Sequence, residues 1–197
     1  MNTGAPLWHR TTISGIRNLD DPEGHDLIVS MLDPEWPEPD DFDRWPAERR
    51  AMFRFHDEIA PRTDKDRVLP DAKLVDALIT FGRQHDLSRA SLFIHCQSGV
   101  SRSTAGALIL WALSAPDVAA RDLFAALKAI RPVAWPNTLM LALADEALGR
   151  TDRLADAAVD LFREAVAAPG GDELAKKMFK LRRVADLEAI GALPQAD

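Results

Sequence analysis

One short segment places a cysteine and an arginine at a spacing suited to phosphate chemistry. Cys96 is the only cysteine in the 197-residue chain, and five residues separate it from Arg102. A loop of this length between a buried strand and a helix can curl so that its backbone N–H groups point inward, at the amino end of the helix. Gly99 permits the backbone angles that such a curl needs, and a guanidinium can bind a phosphate through two parallel hydrogen bonds. The segment therefore predicts a phosphate-binding loop made of Gln97, Ser98, Gly99, Val100, Ser101 and Arg102.

The same surroundings act on the Cys96 sulfur. N–H dipoles, a helix amino terminus and a nearby guanidinium all stabilise a thiolate, so they lower the pKa of a cysteine. A thiolate beneath the phosphorus of a bound phosphomonoester can accept the phosphoryl group and form a cysteinyl-phosphate. Ser103 can donate a hydrogen bond to the sulfur when it leaves. A lone cysteine is most often a small buried hydrophobe, but the offsets of Gly99, Arg102 and Ser103 favour a nucleophile.

Segment 95–103 resembles the signature of the Cys-x5-Arg phosphatase superfamily, His-Cys-x-x-Gly-x-x-Arg-Ser/Thr, and matches it at every specified position. The dual-specificity branch, together with bacterial tyrosine phosphatases like it, is the most similar in pattern. The resemblance is specific over 91–112 and looser over 11–149, where Arg131-Pro132 and Pro136-Asn137 look like landmarks of that branch. It does not cover 151–197. It implies a cysteine-dependent protein-tyrosine or dual-specificity phosphatase.

The resemblance also implies an aspartate that protonates the leaving oxygen and then activates water. Proton transfer of this kind contributes about 10²–10⁴ in rate. Asp57 follows a predicted strand, where the branch places this residue, but the interval of 39 residues to Cys96 is longer than expected. Asp64 and Asp66 lie in the extra loop and stay open as alternatives. Asp57 and the neighbouring Glu58 could also be a solvated pair without a catalytic role.

Strand-like and helix-like segments alternate along the chain. Apolar runs predict strands at 11–16, 25–32, 50–55 and 91–94. Helical spacing predicts helices at 70–85, 102–113, 117–130 and 137–148, the last capped by Asn137. This order indicates an α/β fold with a mostly parallel central sheet flanked by helices. Segments 151–168 and 172–190 are helical in pattern and carry no assigned chemistry, so we expect a phosphatase domain over 7–150 and a C-terminal helical extension over 151–197.

Composition limits the partners and cofactors of the chain. A formal net charge of -7 gives no general attraction for nucleic acid or an anionic bilayer, and we expect neither as a partner. One cysteine and scattered histidines offer no metal-ligand spacing, so we expect no metal and no cofactor. The first ten residues lack the basic stretch and apolar core of a secretory signal, which favours the cytoplasm. The oligomeric state is left open.

Competing functions and substrates follow from details of the loop. A rhodanese-type sulfur transferase has a shorter gap between its cysteine and basic residue. A phosphoinositide phosphatase tends to carry lysine inside the loop, whereas this loop is neutral between Cys96 and Arg102; it remains the alternative, with a non-catalytic phosphopeptide-binding module. Trp36-Pro37-Glu38 differs from the Trp-Pro-Asp loop of larger tyrosine phosphatases and predicts a surface loop. The chain has no tyrosine, so we expect a shallow entrance and a phosphorylated protein or small phosphomonoester as substrate.

Overall fold

The central sheet has four strands, all parallel, in the order β1-β4-β2-β3. The computed structural model describes residues 5–16, 23–40, 42–61 and 66–194. The strands are β1 (Thr11–Gly15), β2 (Leu27–Leu32), β3 (Arg50–Arg54) and β4 (Leu92–Cys96). Their positions agree with the predicted strands to within two residues. The prediction of an α/β fold with a parallel sheet is confirmed.

The two central strands are buried along their whole length. A parallel strand covered on both faces is expected to be apolar nearly throughout, and both strands meet this expectation. On β2 and β4, Val29 and Ile94 belong to the large core that includes α-helical side chains. Ile28 and Phe93 point to the other face, where they form a small cluster with Phe42 from a short 3₁₀ segment. Because all four strands are parallel, the residues that follow them emerge at one edge of the sheet.

Seven helices are present in the described part of the chain. They are α1 (Ala72–Arg83), α2 (Arg102–Ser114), α3 (Ala120–Ile130), α4 (Thr138–Leu148), α5 (Leu154–Ala167), α6 (Gly171–Lys180) and α7 (Val184–Ala189). Asp71 caps α1 by accepting from Leu74 N at 2.8 Å. Asn137 caps α4 by accepting from Met140 N at 3.1 Å, which confirms the predicted cap. No helix among these residues is long and apolar enough to cross a membrane.

The segment predicted as one helix over 172–190 is divided into α6 and α7. The backbone of Arg182 adopts a left-handed conformation with φ of 64°, which a continuous helix does not allow. The N–H groups of Arg182 and Arg183 turn back to the carbonyls of Phe179 and Met178 at 2.9 Å each. This break directs the Arg183 side chain toward the carboxyl edge of the sheet.

The C-terminal helices share the hydrophobic core of the sheet. Leu154, Phe162 and Leu187 are fully buried and belong to the same cluster as the strands. Phe162 of α5 stacks on Trp135, with ring centroids 3.9 Å apart and planes at 2°. The domain boundary at 150 stays a prediction, and packing is continuous across it.

Candidate active site

The predicted phosphate loop lies where β4 turns into α2. Cys96 is the last residue of β4, and Arg102 is the first residue of α2. In the parallel register Cys96 lies between Gly15 of β1 and Met31 of β2. Because the carboxyl ends of parallel strands meet at one edge, residues that follow β2 and β3 are brought to the same loop.

Two glycines allow the loop to approach β1. Gly99 has φ of +67°, and a Cβ there would lie 2.7 Å from both the Ser14 carbonyl carbon and Arg131 Nη2. A Cβ on Gly15 would lie 2.7 Å from the Ser98 carbonyl carbon. Both contacts are shorter than real Cβ atoms make, so larger residues would push the loop away from the strand. The predicted need for glycine at Gly99 has this structural reason.

The carbonyl groups of the loop are bound from outside. Arg131 donates from Nε to the Gly99 oxygen at 2.7 Å and from Nη2 to the Ser98 oxygen at 3.1 Å. The backbone N–H of Trp135 donates to the Val100 carbonyl oxygen at 2.8 Å. With these carbonyls turned outward, the loop N–H groups are left for the inside of the curl. The Arg131-Pro132 landmark of the sequence is thus a support of the loop.

The Cys96 sulfur lies at the base of this curl. It is 1% exposed and accepts from the Gly99 N–H at 3.2 Å. Ser103 Oγ is also 3.2 Å from the sulfur. Burial alone would raise the pKa of the thiol, but the Arg102 charge and the Ser103 hydrogen bond outweigh it, and the pKa lies below its usual value. The arrangement favours a thiolate.

Arg102 is 1% exposed and held by three acceptors. Nη1 donates to Asp33 Oδ1 and to the Phe55 carbonyl, and Nη2 donates to Gln97 Oε1, each at 2.6 Å. Nε is buried and has no hydrogen-bond partner among the described residues. A buried guanidinium N–H without a partner is uncommon and suits an anion in the loop.

Asp33 is a site residue that sequence reasoning missed. It directly follows β2, so it reaches the carboxyl edge of the sheet beside Arg102. That position was a usable signal, because side chains after neighbouring parallel strands converge. The ion pair fixes the Arg102 guanidinium in one orientation.

Asp57 lies beside the loop, as the resemblance implied. Its Oδ1 accepts from Ser101 Oγ at 2.7 Å, from Asn137 Nδ2 at 3.0 Å and from Arg183 Nη2 at 2.5 Å. Burial would raise the pKa of this carboxyl, but the charges of Arg183 and Arg102 lower it further than burial raises it. The hydrogen bonds to this carboxyl in the described part of the chain all end on Oδ1 and leave Oδ2 facing no donor there.

Of the two other acid candidates, only Asp66 belongs to the described residues. Asp66 is exposed and is not among the residues that line the cleft over the loop. Asp64 lies outside the described residues. The geometry therefore favours Asp57 over Asp66.

Arg183 is the second residue that sequence reasoning missed. It is 3% exposed, and its Nη2 lies 2.5 Å from Ser101 Oγ as well as from Asp57. It comes from the turn between α6 and α7, a region to which the sequence assigned no chemistry. The pair Arg182-Arg183 stands in a basic stretch, but nothing in its pattern distinguishes it from a solvated helix face.

A cleft of about 660 Å³ opens over the loop. Most of the predicted phosphate-binding residues line it, together with Asp57, Arg131 and Arg183. Trp36, predicted as part of a surface loop, also lines it. Further apolar side chains come from Trp135, Met178 and Leu181. The C-terminal extension thus forms part of the cleft wall.

Comparison with known proteins identifies the fold. Neither a protein-family model nor a curated protein matches the sequence. Human DUSP28 is structurally similar, with a TM-score of 0.50 and 14% identity over 71% of this chain and 92% of that chain. A mouse protein described as a dual specificity phosphatase, complexed with zinc tungstate, gives a TM-score of 0.51 and 17% identity over 72% of this chain and 83% of that chain. The chain therefore has the fold of the dual-specificity phosphatases.

Proposed function

We propose that the protein is a cysteine-dependent phosphatase that hydrolyses phosphomonoesters through a cysteinyl-phosphate. One observation carries the proposal. The buried Cys96 sulfur accepts from the Gly99 N–H and lies 3.2 Å from Ser103 Oγ, directly under a loop that ends in the buried Arg102. A structural cysteine needs neither a lowered pKa nor an anion site above it. The fold agrees with this activity.

Substrate binding uses the loop and its arginine. The phosphate dianion lies in the curl, where the N–H groups donate to its oxygens. Arg102 Nε, which has no partner among the described residues, supplies a charge-assisted hydrogen bond. Asp33 keeps the guanidinium plane in position through its 2.6 Å contact with Nη1.

The first chemical step transfers the phosphoryl group to sulfur. The Cys96 thiolate donates an electron pair to phosphorus, and the bond between phosphorus and the ester oxygen breaks. The leaving oxygen takes a proton from Asp57, which becomes a carboxylate. The bound dianion assists this step, because its negative charge offsets the positive charges that lower the Asp57 pKa.

The second step returns the enzyme to its starting state. Water attacks phosphorus, its proton passes to the Asp57 carboxylate, and the bond between phosphorus and sulfur breaks. The departing thiolate keeps the electron pair and is stabilised by Ser103 and by the Gly99 N–H. Inorganic phosphate then leaves the loop.

The cleft favours aryl phosphates and phosphotyrosine peptides. Trp36 and the exposed Leu181 offer apolar surface near the loop, against which an aromatic ring can pack. Aliphatic phosphoserine or phosphothreonine peptides bury less surface there and are weaker substrates. The residues between Cys96 and Arg102 are neutral. The two further arginines of the cleft are bound to the loop carbonyls (Arg131) and to Asp57 (Arg183), so a polyphosphorylated inositol lipid ranks last. A cytoplasmic location stays a prediction.

Phosphate release from p-nitrophenyl phosphate by wild type and Cys96→Ser tests the function. The serine hydroxyl is a poor nucleophile, so turnover falls by on the order of 10⁴-fold or more, while inorganic phosphate still binds the loop. Acid quenching during turnover traps a phosphorylated protein in wild type only. Substantial turnover by Cys96→Ser would refute the mechanism. Phosphopeptide binding without turnover by wild type would instead assign a non-catalytic binding module.

A further inference from the structure

The C-terminal extension contributes one charged side chain to the centre of the cleft. Arg183 lies in the turn between α6 and α7, and its N–H is bound to the Met178 carbonyl at 2.9 Å. Met178 and Leu187, on either side of this turn, are buried in the main core. The turn is therefore anchored on both sides, and the guanidinium is directed into the cleft rather than into solvent.

Arg183 connects two residues of the proposed catalytic apparatus. Its Nη2 contacts both Asp57 Oδ1 and Ser101 Oγ at 2.5 Å. Ser101 Oγ in turn donates to Asp57 at 2.7 Å, which closes a three-membered hydrogen-bonded ring. Asn137 donates to the same oxygen from the start of α4. The Asp57 carboxyl is thereby held in one orientation.

The charged groups around Asp57 come from several elements. Arg102 approaches from the loop and Arg183 from the α6–α7 turn, and both favour the carboxylate. Asp57 in turn opposes ionisation of Cys96 at the end of β4 and of Asp186 on α7. Glu58 acts on Arg183 and is itself paired with Arg67 at 3.5 Å. Asp186 is occupied by hydrogen bonds from Trp135 and Thr138.

We propose that Arg183 is the positioning residue of the general acid: it holds the Asp57 carboxyl against Ser101 and Asn137 and controls the pH range over which Asp57 can donate a proton. The inference rests on the proposed role of Asp57. It makes the α6–α7 turn a part of the catalytic unit. Arg183 itself touches no reacting atom.

Two opposite effects follow from the loss of the Arg183 charge. Asp57 remains partly buried and loses its strongest favourable charge, so its pKa rises and it stays protonated to higher pH. The carboxyl also loses one of the bonds that orient it, so the limiting rate with a poor leaving group falls. A purely structural role would lower activity equally at every pH.

A matched pair of variants separates charge from structure. Arg183→Gln removes the charge and keeps a hydrogen-bond donor, whereas Arg183→Lys keeps the charge on a different side chain. The readout is the pH profile of kcat/KM for a phenyl phosphate with a poor leaving group. We expect the basic limb to move to higher pH in Arg183→Gln and to stay near its wild-type position in Arg183→Lys. Above the optimum, activity relative to wild type rises roughly tenfold per pH unit of that movement.

Arg163→Met is the control for charge removal in the extension. Arg163 is exposed on α5 and pairs only with Asp160 among the described residues, so its loss should leave the profile unchanged. A uniform loss of activity in Arg183→Gln, with the basic limb unmoved, would overturn the inference.

Direct titration of Asp57 decides the question without turnover. The Asp57 carboxyl ¹³C signal, assigned by its absence in Asp57→Asn, should titrate below the ordinary aspartate range in the wild-type apoprotein and higher in Arg183→Gln. An ordinary or raised pKa in wild type would overturn the inference even if the variant did not fold. If the wild type were inactive but showed the expected titration, the proposed function would be refuted, while the effect of Arg183 on the Asp57 pKa would still stand.

Discussion

The two halves of the cleft are assembled in different ways. In the phosphate loop, the contacts of Cys96 with Gly99 and Ser103 span three and seven residues of the chain. In the acid corner, defined as Asp57, Ser101, Asn137 and Arg183, the contacts with Asp57 span 44, 80 and 126 residues. The contacts of the Cys96 sulfur therefore depend on local backbone geometry, with Arg131 supporting the loop from outside. The acid corner depends entirely on how distant elements pack.

This difference predicts different sensitivities. The short-range contacts of the Cys96 sulfur respond mainly to substitutions within the loop and at its support, Arg131. The acid corner responds also to the core that holds α4 and the α6–α7 turn against the sheet. Substitutions in each half, and in the core that joins them, can break or sharpen the contrast.

Asp57→Asn removes the acid from the corner and is expected to have the largest effect. We expect kcat for poor leaving groups to fall by roughly 10²–10⁴, with a much smaller loss for good leaving groups that need no proton. The basic limb of the kcat profile should disappear. Steady-state kinetics over a series of substituted phenyl phosphates measures both effects.

Asp66→Asn is the matched control, since Asp66 is exposed. Should Asp66→Asn or Asp64→Asn show the leaving-group pattern while Asp57→Asn does not, the acid corner is wrongly assigned.

Phe162→Ala tests whether the extension is part of the core. Phe162 is fully buried and stacks on Trp135, next to the loop supports, so its truncation should lower the free energy of unfolding by about 3–5 kcal/mol. Unfolding monitored by intrinsic fluorescence and by activity should show one shared, shifted transition. The control is Phe179→Ala, an exposed aromatic on α6, with an expected change within about 0.5 kcal/mol. Two separate transitions would show that the extension folds independently.

Arg102→Lys tests the loop half. A lysine carries the charge but lacks the planar fork, so we expect kcat/KM to fall by about 10²–10³. Asp33 and Gln97 would also lose the hydrogen bonds that they accept from the Arg102 guanidinium. Arg83→Lys, at an exposed position on α1, serves as the control and should change nothing. Near-normal kcat/KM in Arg102→Lys would refute the phosphate clamp.

His95→Gln tests how a buried histidine of β4, next to Cys96, makes the free energy of unfolding depend on pH. Burial lowers the pKa of His95 from 6.5 to about 4, so the folded state disfavours its protonation. Below pH 6.5 the unfolded state takes up a proton that the folded state binds poorly. The free energy of unfolding therefore has its full value above pH 6.5 and decreases by up to about 3 kcal/mol as the pH falls toward 4. Urea unfolding at several pH values should show this loss in wild type and a smaller one in His95→Gln.

His9→Gln is the control for the histidine substitution, because His9 is exposed. Equal acid sensitivity in wild type and His95→Gln would contradict the assigned burial effect.

Much of the fold was accessible from local pattern. The buried runs of β2 and β4 and the helical spacing of α1 and α4 identified their elements, and Asn137 was identified as a cap. The prediction of a single helix over 172–190 was wrong, because the left-handed backbone conformation of Arg182 divides the segment into two helices. An arginine gives no local warning of that conformation, which glycine usually adopts.

The sequence by itself determined the loop that we propose binds phosphate, because Cys96, Gly99, Arg102 and Ser103 lie within eight residues, where spacing restricts the geometry. The resemblance to the phosphatase signature added Asp57 as the expected acid, with Asp64 and Asp66 left open. Only the tertiary structure decided that Asp33 orients Arg102 and that Arg183 binds Asp57. The physical reason is that hydrophobic packing decides which distant polar residues meet at the edge of the sheet. Because the hydrophobic effect is non-directional, no local spacing in the sequence specifies those meetings.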